Sequence, residues 1–226
     1  MPTSTVEDYL KCIYLQEQAC AGDLVPTGQV AAFLEVAPGT ATSMVKTLAD
    51  SGLLAYEPYV GVRLTPAGMR LATRVLRRHR LLELFLVQVM GMNWAEVHGE
   101  AEVLEHAVSD QLIERMDEML GHPSTDPHGD PIPTRGGDVL ERTDLPSLVS
   151  CVLNVSCVLV RVADQRTEFL QLLERHGLKP GRRLIVANRD ELADVVEVVP
   201  ERGEPLRLGF RAGSLLLVEA APGDAR

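Results

Sequence analysis

The sequence predicts a mainly α-helical chain with a small β component: a winged helix-turn-helix, a helical segment, then a small β-barrel of SH3-like size. Three observations predict this order. Apolar residues recur at helical spacing through most of residues 4–121, broken by one pair of strand-like runs near residue 60. Residues 122–147 are rich in proline and glycine and carry no period. Beyond them come short strand-like runs punctuated by turn residues. The expected boundaries are 1–65 for the winged helix-turn-helix, 66–134 for the helical segment, 135–147 for a linker and 148–226 for the barrel.

Composition narrows the function. The 46% hydrophobic and 24% charged content is that of an ordinary soluble protein, and 4% aromatic content leaves an aliphatic core. A net charge of −10 argues against non-specific nucleic-acid binding as the main occupation. The charge is uneven, however: between residues 60 and 82 the charged side chains are Arg63, Arg70, Arg74, Arg77, Arg78 and Arg80, with no acid. Cys12, Cys20, Cys151 and Cys157 form no metal-type pair and are too sparse for a disulfide scaffold, so free thiols are expected. No signal-peptide layout is present, and no apolar run reaches the roughly 18 residues that span a bilayer. A cytoplasmic protein without a membrane partner is expected.

The N-terminal elements follow from their caps. Ser4 and Glu7 have capping-box spacing, so a helix is expected from Thr5, with Tyr9, Cys12, Ile13 and Leu15 buried. Asp8 falls in its first turn, where the helix dipole favours a carboxylate. Thr27 would cap a second helix through Leu34, and Pro38-Gly39 leads into a third from about residue 39 to 51, ended by Gly52. The pair has the layout of a helix-turn-helix. Its second helix offers Thr40, Thr42, Ser43, Lys46 and Thr47 to bases or phosphates, and its N-terminus at Ala37, Pro38 and Gly39 attracts phosphate. Strand-like runs at 53–57 and 62–65 make a wing that would place Tyr59 and Arg63 near a DNA backbone. Helical hairpins are common; the wing and the arginine cluster after it favour DNA binding.

Thr65-Pro66 starts a long helix reaching about Met90, Asn93 and Glu96 start another, and Ser109 caps a third ending at Gly121. Their excess apolar surface suits a dimer interface. Here too lies the chemistry. His79 and Glu83 are four apart, and on one continuous helix His98, Glu102, Glu105 and His106 would share a face. Three imidazoles and three carboxylates, without a thiolate, form a ligand set for a divalent transition metal. The plain alternative is a solvated polar face. Against it, only Arg115 is positive between residues 83 and 120, where nine acids would repel unless a cation sits among them. His122 and His128, in the proline-rich passage, are expected to face water.

In the C-terminal part, residues 149–163 read as a strand and 167–176 as a helix, with further strands from Arg183 and at 194–199, 206–210 and 214–219. No P-loop, nucleophile elbow or dinucleotide glycine pattern occurs, so no enzyme and no small organic substrate is expected.

With these elements in place, the chain resembles the diphtheria toxin repressor and manganese transport regulator family of metal-dependent transcriptional regulators. The resemblance runs through Glu7-Asp-Tyr-Leu-Lys-Cys-Ile-Tyr14, the helix-turn-helix and Arg63-Leu-Thr-Pro-Ala-Gly68. It continues in Arg78-His-Arg-Leu-Leu-Glu83, Glu102-Val-Leu-Glu105-His106 and Pro127-His-Gly-Asp-Pro-Ile-Pro133. It implies a homodimer that binds a palindromic double-stranded operator and represses metal-uptake genes when metal is plentiful. It implies a primary metal site of Asp8, Glu102, Glu105 and His106. The implied ancillary site is His79, Glu83 and His98, completed by Gln165 and Glu168; the family has a carboxylate first and an amide second in that last pair, and this chain reverses them.

The departures bear on the metal. Iron-type members place Met and Cys where this chain has Asp8 and Glu102, while manganese-type members have acids at both positions. Oxygen ligands with one imidazole suit Mn(II), with Fe(II) the alternative; Zn, Co, Ni and Cd are expected to substitute in vitro. Manganese-type members also use a Glu for a second, close metal where this chain has Lys11. Two readings from other classes are a metalloenzyme, which would need a substrate cleft and leave the helix-turn-helix unexplained, and a metal-buffering dimer with an idle DNA domain.

Overall fold

Thr3 opens the first helix. In the computed structural model, which describes residues 3–20, 23–140, 142 and 144–221, the Thr3 hydroxyl accepts from Val6 N at 3.4 Å and α1 spans Ser4–Ala19. The cap therefore sits one residue before the expected Ser4. No capping box closes, because the Glu7 carboxylate is held by His106 instead, at 2.7 Å. Thr27 likewise lies inside α2 (Thr27–Phe33), whose cap position is Pro26 without a side-chain bond. Pro38 occupies the first turn of α3 (Pro38–Asp50), where its missing N–H costs nothing, and Gly52 turns the chain away at φ +73°.

β1 (Leu54–Glu57) and β2 (Gly61–Leu64) pair antiparallel, Leu54 opposite Leu64, to form the wing. Thr65 starts α4 (Pro66–Gln88), accepting from Gly68 N at 3.2 Å. Gly68 is required here: a Cβ would lie 2.1 Å from Leu53 O. α5 spans Val97–Leu104 and α6 Asp110–Met119. α5 is shorter than expected. Ala107 N and Val108 N both bond to Leu104 O at 3.0 Å, so the chain tightens into turns and Glu105 and His106 leave the helix. The shared helical face expected for His98, Glu102, Glu105 and His106 is thus not formed.

The chain divides into two compact units. The first comprises Met1–His79, Glu102–Arg115 and Ile132–Val139; the second Arg80–Ala101, Met116–Pro131 and Leu140–Arg226. The first is built on an aliphatic core with Leu10, Ile13, Val30, Val45, Leu48 and Val62 all buried. In the second, β3 (Ser156–Val162), β4 (Arg183–Asp190), β5 (Val195–Pro200), β6 (Leu206–Leu208) and β7 (Leu216–Ala220) make an antiparallel sheet ordered β6-β5-β4-β3-β7. It is the sheet of an SH3-like domain, accompanied by α7 (Thr167–Arg175) and the short α8 (Phe210–Gly213). β3 starts later than the expected Val149, because residues 147–151 turn back on Ser147 O and Asn154 takes φ +58°. Leu159, Leu170, Leu173, Val186, Val198 and Leu216 fill its core, with Trp94 among them. Positions 141 and 143 of the expected linker lie outside the described residues.

Candidate metal centre

Helical spacing gathers Glu7, Asp8 and Lys11 toward one side of α1, and Glu7 and Lys11 are buried at 8% and 6% exposure. The segment 102–106 meets them within the first unit. His106 Nε2 lies 2.9 Å from Asp8 Oδ1 and 3.4 Å from Glu105 Oε1. Ligand atoms of Asp8, Glu105 and His106 all fall within 4.8 Å of one another, as do those of His79, Glu102 and Glu105. His79 Nδ1 is 2.7 Å from Glu105 Oε2 and 3.8 Å from Glu102 Oε1. Hard oxygens with one or two imidazoles are the donors a divalent cation needs.

Two groups in this cluster escape a reading by motif. The first is Glu7, whose Oε2 lies 2.7 Å from His106 Nδ1 while Arg78 approaches its other oxygen at 3.5 Å. A carboxylate on Nδ1 orients the ring so that Nε2 is the nitrogen presented to Asp8 and Glu105. The second is Lys11. Its Nζ donates to Glu105 at 2.5 Å and to Glu102 at 2.8 Å, so two of the acids already share a resident ammonium. Burial alone would lower the lysine's pKa; Glu105 and Glu102 outweigh it and hold it above the usual value. Asp8 moves up too, chiefly through burial.

The second unit holds another acid and imidazole cluster. Glu83, Asp126 and His128 are all buried, with ligand atoms within 4.8 Å. His128 does not face water as the proline-rich context suggested. It is wholly buried, its Nε2 lies 2.9 Å from Trp94 O, and its ring stacks on Trp94 at 5.5 Å. Its Nδ1 is 3.7 Å from Glu83 Oε2. Asp126 Oδ1 accepts from His128 N and Asp130 N, at 2.8 and 2.9 Å, which curls the loop around the carboxylate. Asp126 Oδ2 and His128 Nδ1 are buried with no hydrogen bond of ordinary length, Arg80 Nε standing 3.8 Å from the former, so both atoms could serve as metal ligands. Burial, Asp130 and Glu83 push Asp126 up to about 7. Gly129 closes the loop at φ +88°, where a Cβ would lie 1.9 Å from Val160 O. The sequence signal that could have found this site is an acid two residues before a histidine in a proline-stiffened turn.

The remaining expected ligands fall as follows. His79 and Glu83 stay one turn apart on α4, and His98 Nδ1 lies 3.2 Å from Glu83 Oε1 with its ring half exposed. Gln165 donates to Asp130 Oδ2 at 2.6 Å, while Glu168 stands exposed in the first turn of α7. His122 faces water beside Asp117.

On the DNA-binding side, Ala37, Pro38, Gly39, Thr40, Ser43, Lys46 and Thr47 are exposed along α3 and its N-terminus. Thr42 and Thr47 donate to Pro38 O and Ser43 O at 2.8 and 3.1 Å. Tyr59, at φ +67°, projects fully from the wing tip, and Arg63 is exposed on β2.

A winged helix-turn-helix joined to buried acid and imidazole clusters defines a metal-dependent DNA-binding regulator. Comparison with known proteins agrees. Residues 1–62 match the iron dependent repressor N-terminal DNA binding domain, 65–134 the iron dependent repressor metal binding and dimerisation domain, and 147–220 the FeoA domain. The chain is 30% identical to the iron-dependent repressor IdeR of Mycobacterium leprae, over 87% of this chain and 89% of that one. It is 35% identical to the transcriptional regulator MntR of Lysinibacillus sphaericus, over 53% of this chain and 84% of that one. A solved manganese-dependent transcriptional repressor in complex with manganese superposes with a TM-score of 0.84 at 38% identity, covering 96% of this chain and all of that one. The chain belongs to the iron-dependent repressor family, which includes the diphtheria toxin repressor and the manganese regulators. Its members are dimerising, metal-dependent transcriptional repressors, not enzymes.

Proposed function

We propose that this repressor responds to Mn(II), with Fe(II) the alternative, and that it acts in the cytoplasm on palindromic operators of metal-uptake genes. The observation that carries the metal reading is the convergence of Asp8, Glu105 and His106, with Glu102 alongside, in a set with no sulfur donor. That donor chemistry suits the harder end of the first-row series. Asp8, Glu102, Glu105 and His106 would hold one ion. For a second we propose a set revised from His79, Glu83, His98, Gln165 and Glu168: Glu83 and His98, joined by Asp126 and His128. This revision is supported by the buried polar atoms around Asp126 and by the engagement of Gln165 with Asp130.

A bound divalent cation supplies positive charge that lets Asp8, Glu102 and Glu105 stay close. Asp8 lies on α1 of the DNA-binding domain, whereas Glu102, Glu105 and His106 come from the dimerisation segment. Glu7 holds His106 in register, and Lys11 fastens α1 to the same segment. Ordering α1 in this way favours the DNA-competent arrangement, in which the two α3 helices of a dimer enter successive major grooves about 34 Å apart. By linkage, operator DNA tightens metal binding by the same factor. Exposed apolar residues are available for dimer contacts: Val103 and Leu112 in the first unit, Val89, Met90 and Met119 in the second.

The test is a binding titration on the DNA upstream of the protein's own gene, at fixed salt because affinity depends steeply on it. Metal-free protein is compared with Mn(II), anaerobic Fe(II) and Zn(II). Binding that requires metal, strongest at cellular free Mn(II), is expected. Asp8→Ala should lose the metal response yet sediment as a dimer; an undiminished response overturns the assignment of Asp8.

A further inference from the structure

Cys151 and Cys157 belong to the second unit, and neither is among the residues named so far as ligands. Both are buried in the SH3-like domain, at 7% and 5% exposure, and both are free. Their side chains are neighbours, each among the groups that shift the other, and both line one small cavity. The backbone that joins them doubles back through Asn154 at φ +58°. Arg189 of β4 reaches over the pair: its Nη2 lies 3.2 Å from Cys151 Sγ and also donates to Cys151 O, while its Nε donates to Leu148 O at 2.8 Å. These two carbonyl bonds pin the guanidinium in place. Cys157 Sγ is 3.5 Å from Leu184 O, which its proton can reach. A cavity of about 120 Å³ is lined by both cysteines together with Pro146, Val155, Ser156 and Val218, space for a small oxidant.

Two core thiols alone would be ordinary packing, since free cysteine is among the most buried residue types. A fixed cation on one sulfur is not ordinary. Reactive thiols occupy electropositive settings with access, whereas structural ones are inert. We propose that Cys151 and Cys157 form a peroxide-reactive thiol pair, a modification site in the C-terminal domain that closes reversibly to a disulfide. The Cys157 hydrogen bond and then the Arg189 charge hold the Cys151 thiol below its usual range, and Cys157 moves up in return. With the Arg189 guanidinium 3.2 Å from its sulfur, Cys151 is the attacking thiol and Cys157 the resolving one.

The chemistry balances with hydrogen peroxide as the oxidant. The Cys151 thiolate attacks one peroxide oxygen; an S–O bond forms, the O–O bond breaks, and the departing hydroxide takes up a proton to leave as water. The Cys157 sulfur then displaces the hydroxyl of the Cys151 sulfenic acid, its proton leaving with that hydroxyl as a second water. Two thiols are oxidised by two electrons, and one peroxide is reduced to two waters.

The experiment treats full-length, Mn(II)-loaded protein with hydrogen peroxide, alkylates the remaining thiols, and maps peptides by mass spectrometry. Both cysteines lie between Arg142 and Arg161, so they can share one peptide. Its expected mass falls by two hydrogens, alkylation of both sites is lost, and dithiothreitol restores both. In Cys157→Ser, dimedone should capture a sulfenic acid on Cys151; in Cys151→Ser, Cys157 should stay unmodified. Arg189→Lys, which keeps a cation, serves if a cysteine variant fails to fold, and should retain disulfide formation at a several-fold lower rate. Full alkylation of both sites in the peroxide-treated wild type, or prior oxidation of Cys12 or Cys20, overturns the proposal.

Discussion

Replacing Lys11 with methionine keeps the aliphatic stem and deletes the ammonium that Glu102 and Glu105 share. The side chain of Lys11 is 8% exposed and that of Glu105 is fully buried, so the change strands a buried carboxylate. Removing one partner of a buried ion pair costs roughly 3–5 kcal/mol. Two features put this site at the low end. Glu102 is 39% exposed and its share is screened by solvent, and Glu105 keeps His79 at 2.7 Å. The metal-free variant should therefore be less stable by about 3 kcal/mol in urea titrations followed by circular dichroism. The metal-bound form should lose far less, because a divalent cation supplies the missing charge to the same carboxylates. The thermodynamic cycle then makes Mn(II) bind more tightly to the variant. A surplus of about 2–3 kcal/mol corresponds to roughly 30- to 150-fold in affinity. Calorimetry gives that number and the metal stoichiometry together. Unchanged metal-free stability, or weaker Mn(II) binding in Lys11→Met, would refute the reading of Lys11 as a resident cation competing for these acids.

Three further outcomes are expected. Glu7→Ala should weaken Mn(II) binding roughly 10- to 100-fold, the usual cost of losing a carboxylate that orients a metal-bound histidine; calorimetry showing no change means His106 needs no such partner. Asp126 is raised by burial to about 7, and His128 is also raised, its burial outweighed by Glu83. Groups raised in the folded state contribute stability below their unfolded values and lose it as pH rises through the folded ones. Melting temperatures of metal-stripped protein should therefore fall between about pH 4 and 7 through Asp126 and further above about pH 6.5 through His128, and Asp126→Asn, which can still accept from His128 N and Asp130 N, should flatten the slope in the lower range. A slope unaltered in Asp126→Asn removes Asp126 as its source. Gly68→Ala forces a methyl within 2.1 Å of Leu53 O. A loss of about 3 kcal/mol or more is expected, at or above the upper end for overpacking, and a neutral result in urea unfolding would mean that α4 shifts freely there.

Features set by local chemistry were legible before any long-range contact was known. Thr65-Pro66 places the start of α4 because proline fits a first turn and a threonine hydroxyl caps it. The outward row Thr40, Ser43, Lys46 and Thr47 follows from the buried Ala41, Val45 and Leu48 on the other side of the same helix. Alternation and turn residues announced the strands of the SH3-like domain. Long-range contacts decided the rest. Periodicity continues past Leu104, yet the helix stops there, because a repeat of four residues cannot distinguish a continuing helix from one that tightens into turns. Glu7 reads locally as part of a cap, and only the approach of His106, ninety-nine residues on, makes it a positioning carboxylate. Lys11 became a bridge between Glu102 and Glu105 for the same reason. His128 sits in a passage that looks solvated, but burial is conferred by its partners, and here those are Trp94 and Glu83 from distant positions in the chain. Caps, periods and turns act over a few residues and leave marks in sequence; the desolvation and pairing of charges are settled only when remote segments meet.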